Sequence, residues 1–187
     1  MEILGLYSKG YNKQFYLREI GVLTKIPLKT TQNTISQLEQ KKVLKSTAHG
    51  RNKYFRLNLG NALTKFYLLQ AELHKTRLFL KKYPLFNSFI KELQTTALIV
   101  VFGSFAKFTA TKDSDLDMLV VSKGESMLPL HLLPYNAHQV VLSEKSFPAA
   151  LKTGEPLIKE IEENHVILNN HSFYVDTMWR HYGKQQT

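Results

Sequence analysis

Apolar positions along the chain follow two rhythms. A three-to-four-residue period predicts helices, and short continuous or alternating runs predict strands. Near the start, Ile3, Leu4 and Tyr7 share one face of a first helix. A second is predicted from about Tyr16 to Thr24, with Leu17, Ile20 and Leu23 at three-residue spacing. It breaks at Lys25-Ile26-Pro27, because a proline disfavours helix at the residue before it. A third is predicted from about Thr30 to Lys41, where Thr31, Ile35 and Leu38 fall at i, i+4 and i+7 and pack inward. Val43–Ala48 and Lys53–Leu57 then read as two strands around the turn His49-Gly50-Arg51-Asn52.

After the punctuation at Asn58–Asn61 the period returns to helical from Leu63 to about Lys82, with Leu63, Phe66, Leu69 and Leu73 on one face. Tyr67, Leu68, Leu78, Phe79 and Leu80 make this helix apolar on more than one side, so it must be covered on more than one side. It either packs between two domains or forms a homodimer interface. Pro84 ends it, and Leu85, Phe86, Phe89, Ile90 and Leu93 form a short amphipathic helix. Ala97–Phe102 is a buried strand, Leu116–Val121 the next, and His138–Leu142 a third. Ser143 caps a helix from Glu144, Gly154-Glu155-Pro156 introduces another, and Val166–Leu168 is a further strand. The expected organisation is α/β (α+β): a first domain over 1–60, a helical connector over 61–95, and a domain over 96–187 with a mixed sheet flanked by helices.

Charge sharpens this division. The net charge of the 187 residues is +10. Residues 1–60 hold 11 Lys and Arg against 3 Asp and Glu, a balance of +8, and the remainder is nearly neutral. A small, strongly basic domain is the footprint of a polyanion binder, since phosphate contacts release counterions. The polar faces and entry of the third helix carry Lys29, Thr30, Gln32, Asn33, Ser36 and Gln37, groups suited to base edges and phosphates. Lys45, Arg51 and Lys53 make the following hairpin basic. There is no cysteine, which excludes disulfide scaffolds, thiolate metal sites and cysteine nucleophiles. No apolar run reaches the length of a membrane span and the N-terminus lacks a signal-peptide pattern, so a cytoplasmic protein without a membrane partner is expected.

The chemistry concentrates after the first buried strand. Gly103-Ser104 follows it directly, and after ten intervening residues comes Asp115-Leu116-Asp117 at the start of the next strand. Phe105–Thr111 between them can form a short helix. A glycine at such a turn lets the backbone approach a phosphate, and the serine hydroxyl and exposed N–H groups bind its oxygens. Residues i and i+2 of a strand point to one face, so Asp115 and Asp117 present two hard oxygen donors suited to Mg²⁺ beside a phosphate. That is a layout for metal-assisted nucleotidyl transfer. Lys107 can reach a triphosphate from the intervening segment.

The run from Gly103 to Asp117 resembles the signature of the minimal nucleotidyltransferases of the DNA polymerase β superfamily, with Ala106 and the Ser114-Asp115 pair as further matches. The resemblance implies a nucleoside triphosphate substrate with Mg²⁺ (Mn²⁺ possible), metal held by Asp115 and Asp117, and phosphates held by Gly103, Ser104 and Lys107. Residues 1–58 resemble the winged helix-turn-helix family, which implies that the third helix enters the major groove of duplex DNA. The segment from Gly154 to Leu168 resembles the tail of archaeal-type nucleotidyltransferases that carry an N-terminal winged helix. Nucleotidyltransferase family members of minimal size often act as antitoxins beside a partner toxin, which the resemblance extends to this chain as an expectation.

The sequence also departs from the pattern. Active members place a third carboxylate on the strand beside the Asp-X-Asp strand, whereas Ala137–Leu142 offers only His138 and Gln139 as polar positions. Glu144 lies just beyond and substitutes only if the chain bends there. Phe108 stands where glycine is common. Two functions therefore stay open: a nucleotidyltransferase with catalytic Asp115 and Asp117, or a DNA-binding regulator whose second domain only binds nucleotide or dimerises. His165, His171 and His181 match no metal-ligand spacing and are expected at the surface, and Tyr174 and Trp179 in a core or interface.

Overall fold

A computed structural model describes residues 2–124 and 126–184. The chain divides into two compact units, Met1–Ala71 with Met178–Thr187, and Glu72–Thr177.

The first unit opens with α1 (Glu2–Tyr7), β1 (Gln14–Tyr16), α2 (Leu17–Thr24) and α3 (Leu28–Gln40), followed by the hairpin β2 (Leu44–His49) and β3 (Asn52–Leu57). The three strands form an antiparallel sheet in the order β1-β3-β2. Ile3, Leu4, Tyr7, Ile20, Ile35 and Leu38 close the helices over this sheet, and the Tyr7 hydroxyl donates to the carbonyl of Phe55 at 2.9 Å. Strand β1 is too short to show a period of its own and is absent from the sequence expectation. One further reading is corrected. Helix α3 begins at Leu28, directly after Pro27, whose fixed φ suits the residue before a first turn. Of the three apolar residues spaced along α2, Ile20 is buried and Leu23 is half exposed.

The long helix α4 (Ala62–Lys82) overturns its expected orientation. Its buried face carries Thr64, Leu68, Ala71, Glu72, Thr76 and Phe79, while Leu63, Phe66 and Leu73 of the apolar stripe are exposed. Hydrogen bonding explains the exchange. Thr64 Oγ1 donates to the carbonyl of Asn58 at 2.9 Å, and Thr76 Oγ1 donates to that of Ile167 at 2.6 Å, so polar side chains are satisfied inside.

The second unit contains α5 (Phe86–Lys91), β4 (Leu98–Val101), the one-turn α6 (Gly103–Ala106), β5 (Leu116–Ser122), β6 (Ala137–Ser143), α7 (Ser146–Thr153), α8 (Pro156–Glu163), β7 (Val166–Asn169) and α9 (His171–Gly183), which continues past the unit boundary. The sheet is mixed, in the order β6-β5-β4-β7, with β5 parallel to β6 and the other pairs antiparallel. Its central strands are apolar on both faces because both are covered. An aromatic cluster of Phe79, Phe86, Phe89 and Phe105 packs with Tyr135 against one face. Helix α6 is shorter than the expected segment: it ends at Ala106 with Lys107 as its C-cap, and Phe108 takes φ +60. The backbone there adopts the left-handed conformation that glycine favours. Helix α7 begins at Ser146 rather than Glu144, with Ser143 Oγ accepting from its first N–H at 2.9 Å.

His165 is another correction, since it is buried rather than at the surface. Its Nδ1–H donates to the carbonyl of Ile161 at 2.8 Å, and its Nε2 stands 3.2 Å from Oε2 of the fully buried Glu72. Lys75 Nζ donates to the same oxygen at 3.0 Å. Burial pushes the Glu72 carboxyl up, but Lys75 and His165 outweigh it and hold the pKa at about 2. The ordinary value is 4.5, so the stabilisation is complete above that pH and is lost as pH falls from there towards 2. Glu72→Gln is expected to cost about 3–5 kcal/mol at neutral pH by leaving buried charge uncompensated. Urea unfolding of both proteins at pH 7 and pH 3 should show the gap narrowing in acid.

Candidate functional site

Strand β5 delivers Asp115 and Asp117 to one end of the sheet. Asp115 precedes its first paired residue, where Leu116 lies opposite Ala137, and Asp117 lies opposite His138 in the parallel register. Two i, i+2 pairs thus stand side by side, Asp115 beside Asn136 and Asp117 beside His138. Asn136 Nδ2 donates to Asp115 Oδ1 at 3.1 Å and lies 3.2 Å from His138 Nε2. His138 Nδ1 lies 3.8 Å from Asp117 Oδ1.

The Gly103-Ser104 turn meets these acids from β4. Phe102 N–H donates to the carbonyl of Asp117 at 3.0 Å, which extends the ladder one step beyond the strand. Gly103 then turns away with φ +64, and a Cβ built on it would lie 2.4 Å from Asp117 Oδ2. The carboxylate therefore occupies the space that any side chain at position 103 would fill. Burial pushes the Asp117 carboxyl above its ordinary value, and the negative charges of Asp115 and Glu160 add to this; His138 and Lys107 pull the other way. Lys107 Nζ forms an ion pair with Glu160 Oε1 of α8 at 3.0 Å.

Mutually repelling carboxylates on one face are a donor set for a divalent cation, so Asp115 and Asp117 fit one. Among the described residues, no three His, Asp or Glu side chains are gathered into a ready cage. Glu144 cannot supply the missing acid. It follows Ser143, which pairs with Ser122 at the far end of the strand, so it lies six residues beyond His138, about 20 Å away at strand rise. Asn136 and Glu160 escaped the sequence reading. Asn136 lies before the apolar run of β6, although its i, i+2 relation to His138 mirrors that of the aspartates. Glu160 sits on a helix distant in sequence, where nothing ties it to Lys107.

In the first unit, Lys29, Thr30, Gln32, Asn33, Ser36 and Gln37 are all exposed on α3. Gln32 and Ser36 line a groove of about 900 Å³ with Arg51 and Lys53 of the hairpin. Arg18 and Glu39 also line it. Both were missed, although Glu39 follows Gln32 and Ser36 at helical spacing. Its carboxylate is held by Ser46 Oγ at 2.6 Å and Lys53 Nζ at 3.0 Å. Lys45 does not join this group. It alternates to the other face of β2, opposite Arg56, and lines a separate hollow with Trp179 and Arg180.

Residues 85–171 match the sequence family described as the nucleotidyltransferase domain. This supports the nucleotidyltransferase superfamily for that part of the chain, and nucleotidyl transfer as its general function. The mixed sheet flanked by helices fits such a domain. Comparison with curated proteins and comparison with solved structures each found no match. No described helix is long and apolar enough to cross a membrane.

Proposed function

We propose that the protein is a nucleotidyltransferase that moves a nucleoside monophosphate from a nucleoside triphosphate to a hydroxyl of a protein or nucleic acid. The acceptor oxygen bonds to the α-phosphorus, the bond from that phosphorus to the bridging oxygen breaks, pyrophosphate leaves, and the hydroxyl proton passes to water. The observation that carries this reading is the Asp117 carboxylate lodged in the space of the missing Gly103 side chain, which sets an acid against the turn suited to phosphate. When bound, Mg²⁺ or Mn²⁺ neutralises triphosphate charge and stabilises the leaving pyrophosphate. Asp115 and Asp117 hold it. Ser104 and the Gly103 backbone orient the phosphates, and Lys107 exchanges Glu160 for a phosphate oxygen. The test is label transfer from α-labelled triphosphates, with protein, DNA and tRNA as acceptors.

The basic first unit is, in the same reading, a winged helix-turn-helix that brings the enzyme to duplex DNA. The element order, the exposed polar face of α3 and the groove against the hairpin support it. Gln32→Ala/Ser36→Ala is expected to relax sequence preference by about 1–3 kcal/mol per lost base contact. Arg51→Ala/Lys53→Ala is expected to weaken binding to all sequences and to reduce the salt slope by about 2. Fluorescence anisotropy across a salt series separates the two effects.

A second reading, a DNA-binding regulator whose second domain binds nucleotide without transferring it, is favoured by His138 standing where a third acid is expected. Salt-sensitive DNA binding without any label transfer would select it.

A further inference from the structure

Resting on the metal-dependent reading above, we propose that His138 is a third ligand of the divalent cation held by Asp115 and Asp117, and that this donor set prefers Mn²⁺ to Mg²⁺. The register carries the argument. Parallel pairing puts His138 beside Asp117 on the same face of adjacent strands, with Nδ1 3.8 Å from Oδ1. Two donors on one small divalent ion, each at about 2.1 Å, stand no more than about 4.2 Å apart, so this pair already lies within the span one ion bridges. The imidazole is more than half exposed, so turning towards an ion breaks no packed core.

Asn136 makes that turn workable. Its amide lies within hydrogen-bond reach of both Asp115 Oδ1 and His138 Nε2. With Nδ1 on the ion, Nε2 carries the ring proton, so the Asn136 amide, whose Nδ2 faces both groups in the structure, turns over to accept that proton through Oδ1 and releases Asp115 Oδ1 to the ion. An outer partner of this kind fixes the tautomer and ring plane of a ligating histidine. The donor set is then two carboxylates and one imidazole. Mg²⁺ prefers oxygen donors and keeps its waters, whereas Mn²⁺, a softer first-row transition ion, accepts an imidazole beside carboxylates more readily. A third carboxylate would leave Mg²⁺ at no such disadvantage.

The experiment is Mn²⁺ binding to the full chain, read by electron paramagnetic resonance in the presence of a non-hydrolysable triphosphate, with Mg²⁺ as competitor. Wild type, His138→Ala, His138→Asp and Asp117→Asn are compared, and unchanged circular dichroism establishes that each variant is folded. The expected result is a nitrogen coupling on bound Mn²⁺ that changes when histidine is labelled with ¹⁵N and disappears in His138→Ala. The preference for Mn²⁺ over Mg²⁺ should fall about tenfold in His138→Asp. Mn²⁺ binding that depends on Asp117 but shows no histidine coupling overturns the role of His138 and leaves the two-aspartate site standing. No Mn²⁺ binding to wild type, with triphosphate present, overturns both.

Discussion

Gly103→Ala should lower nucleotidyl transfer by about 10²-fold or more while costing only about 1 kcal/mol of stability. The stability cost comes from the backbone: φ at this residue is +64, in the left-handed region that penalises a side chain. The functional cost has a different origin. The new Cβ would meet Asp117 Oδ2 at 2.4 Å, closer than real contacts allow, and the short aspartate side chain can yield only by leaving its position. A carboxylate displaced by an ångström no longer serves the ion or the phosphate beside it. Gly154→Ala supplies the control. It imposes the same kind of strain at φ +67, but its Cβ would meet only the flexible end of Lys159, at 3.3 Å. It should lose similar stability and keep transfer.

Asp117→Asn has the larger expected effect, a loss of about 10³-fold or more in transfer. Its effect on stability should run the other way. Burial, Asp115 and Glu160 raise the Asp117 carboxyl above its ordinary value, so the folded state binds that proton more tightly than the unfolded state does. Ionisation at neutral pH therefore opposes folding, and removing the charge is expected to leave the protein as stable as wild type or slightly more so. Thermal unfolding beside the transfer assay checks both halves. An activity loss without a stability loss marks a group kept for its chemistry rather than for the fold.

What the sequence could disclose depended on how local each cause was. Strands β4 and β5 lie in apolar runs with turn residues beside them, and Gly103, Asp115 and Asp117 sit at a spacing that signals chemistry without tertiary information. Strand β1 spans three residues, Gln14–Tyr16, and exists only because β3 supplies its partners. Helix α4 misled for a related reason. Its leucines and Phe66 define a stripe by hydropathy, yet the interior receives Thr64, Glu72 and Thr76, whose partners Asn58, His165 and Ile167 lie elsewhere in the chain. Burial of His165 likewise depends on Glu72, which lies 93 positions away. Asn136 became visible only once parallel register set it beside Asp115.

The most direct test of the central claim is transfer from each α-labelled nucleoside triphosphate with Mg²⁺ or Mn²⁺, offering the protein itself, DNA and tRNA as acceptors. An Asp115→Ala/Asp117→Ala variant is run in parallel. Label that becomes covalently attached to one acceptor with wild type, and stays at background with the variant, is the predicted result. No label on any acceptor with any triphosphate, while DNA binding is equal for both proteins, would contradict the account.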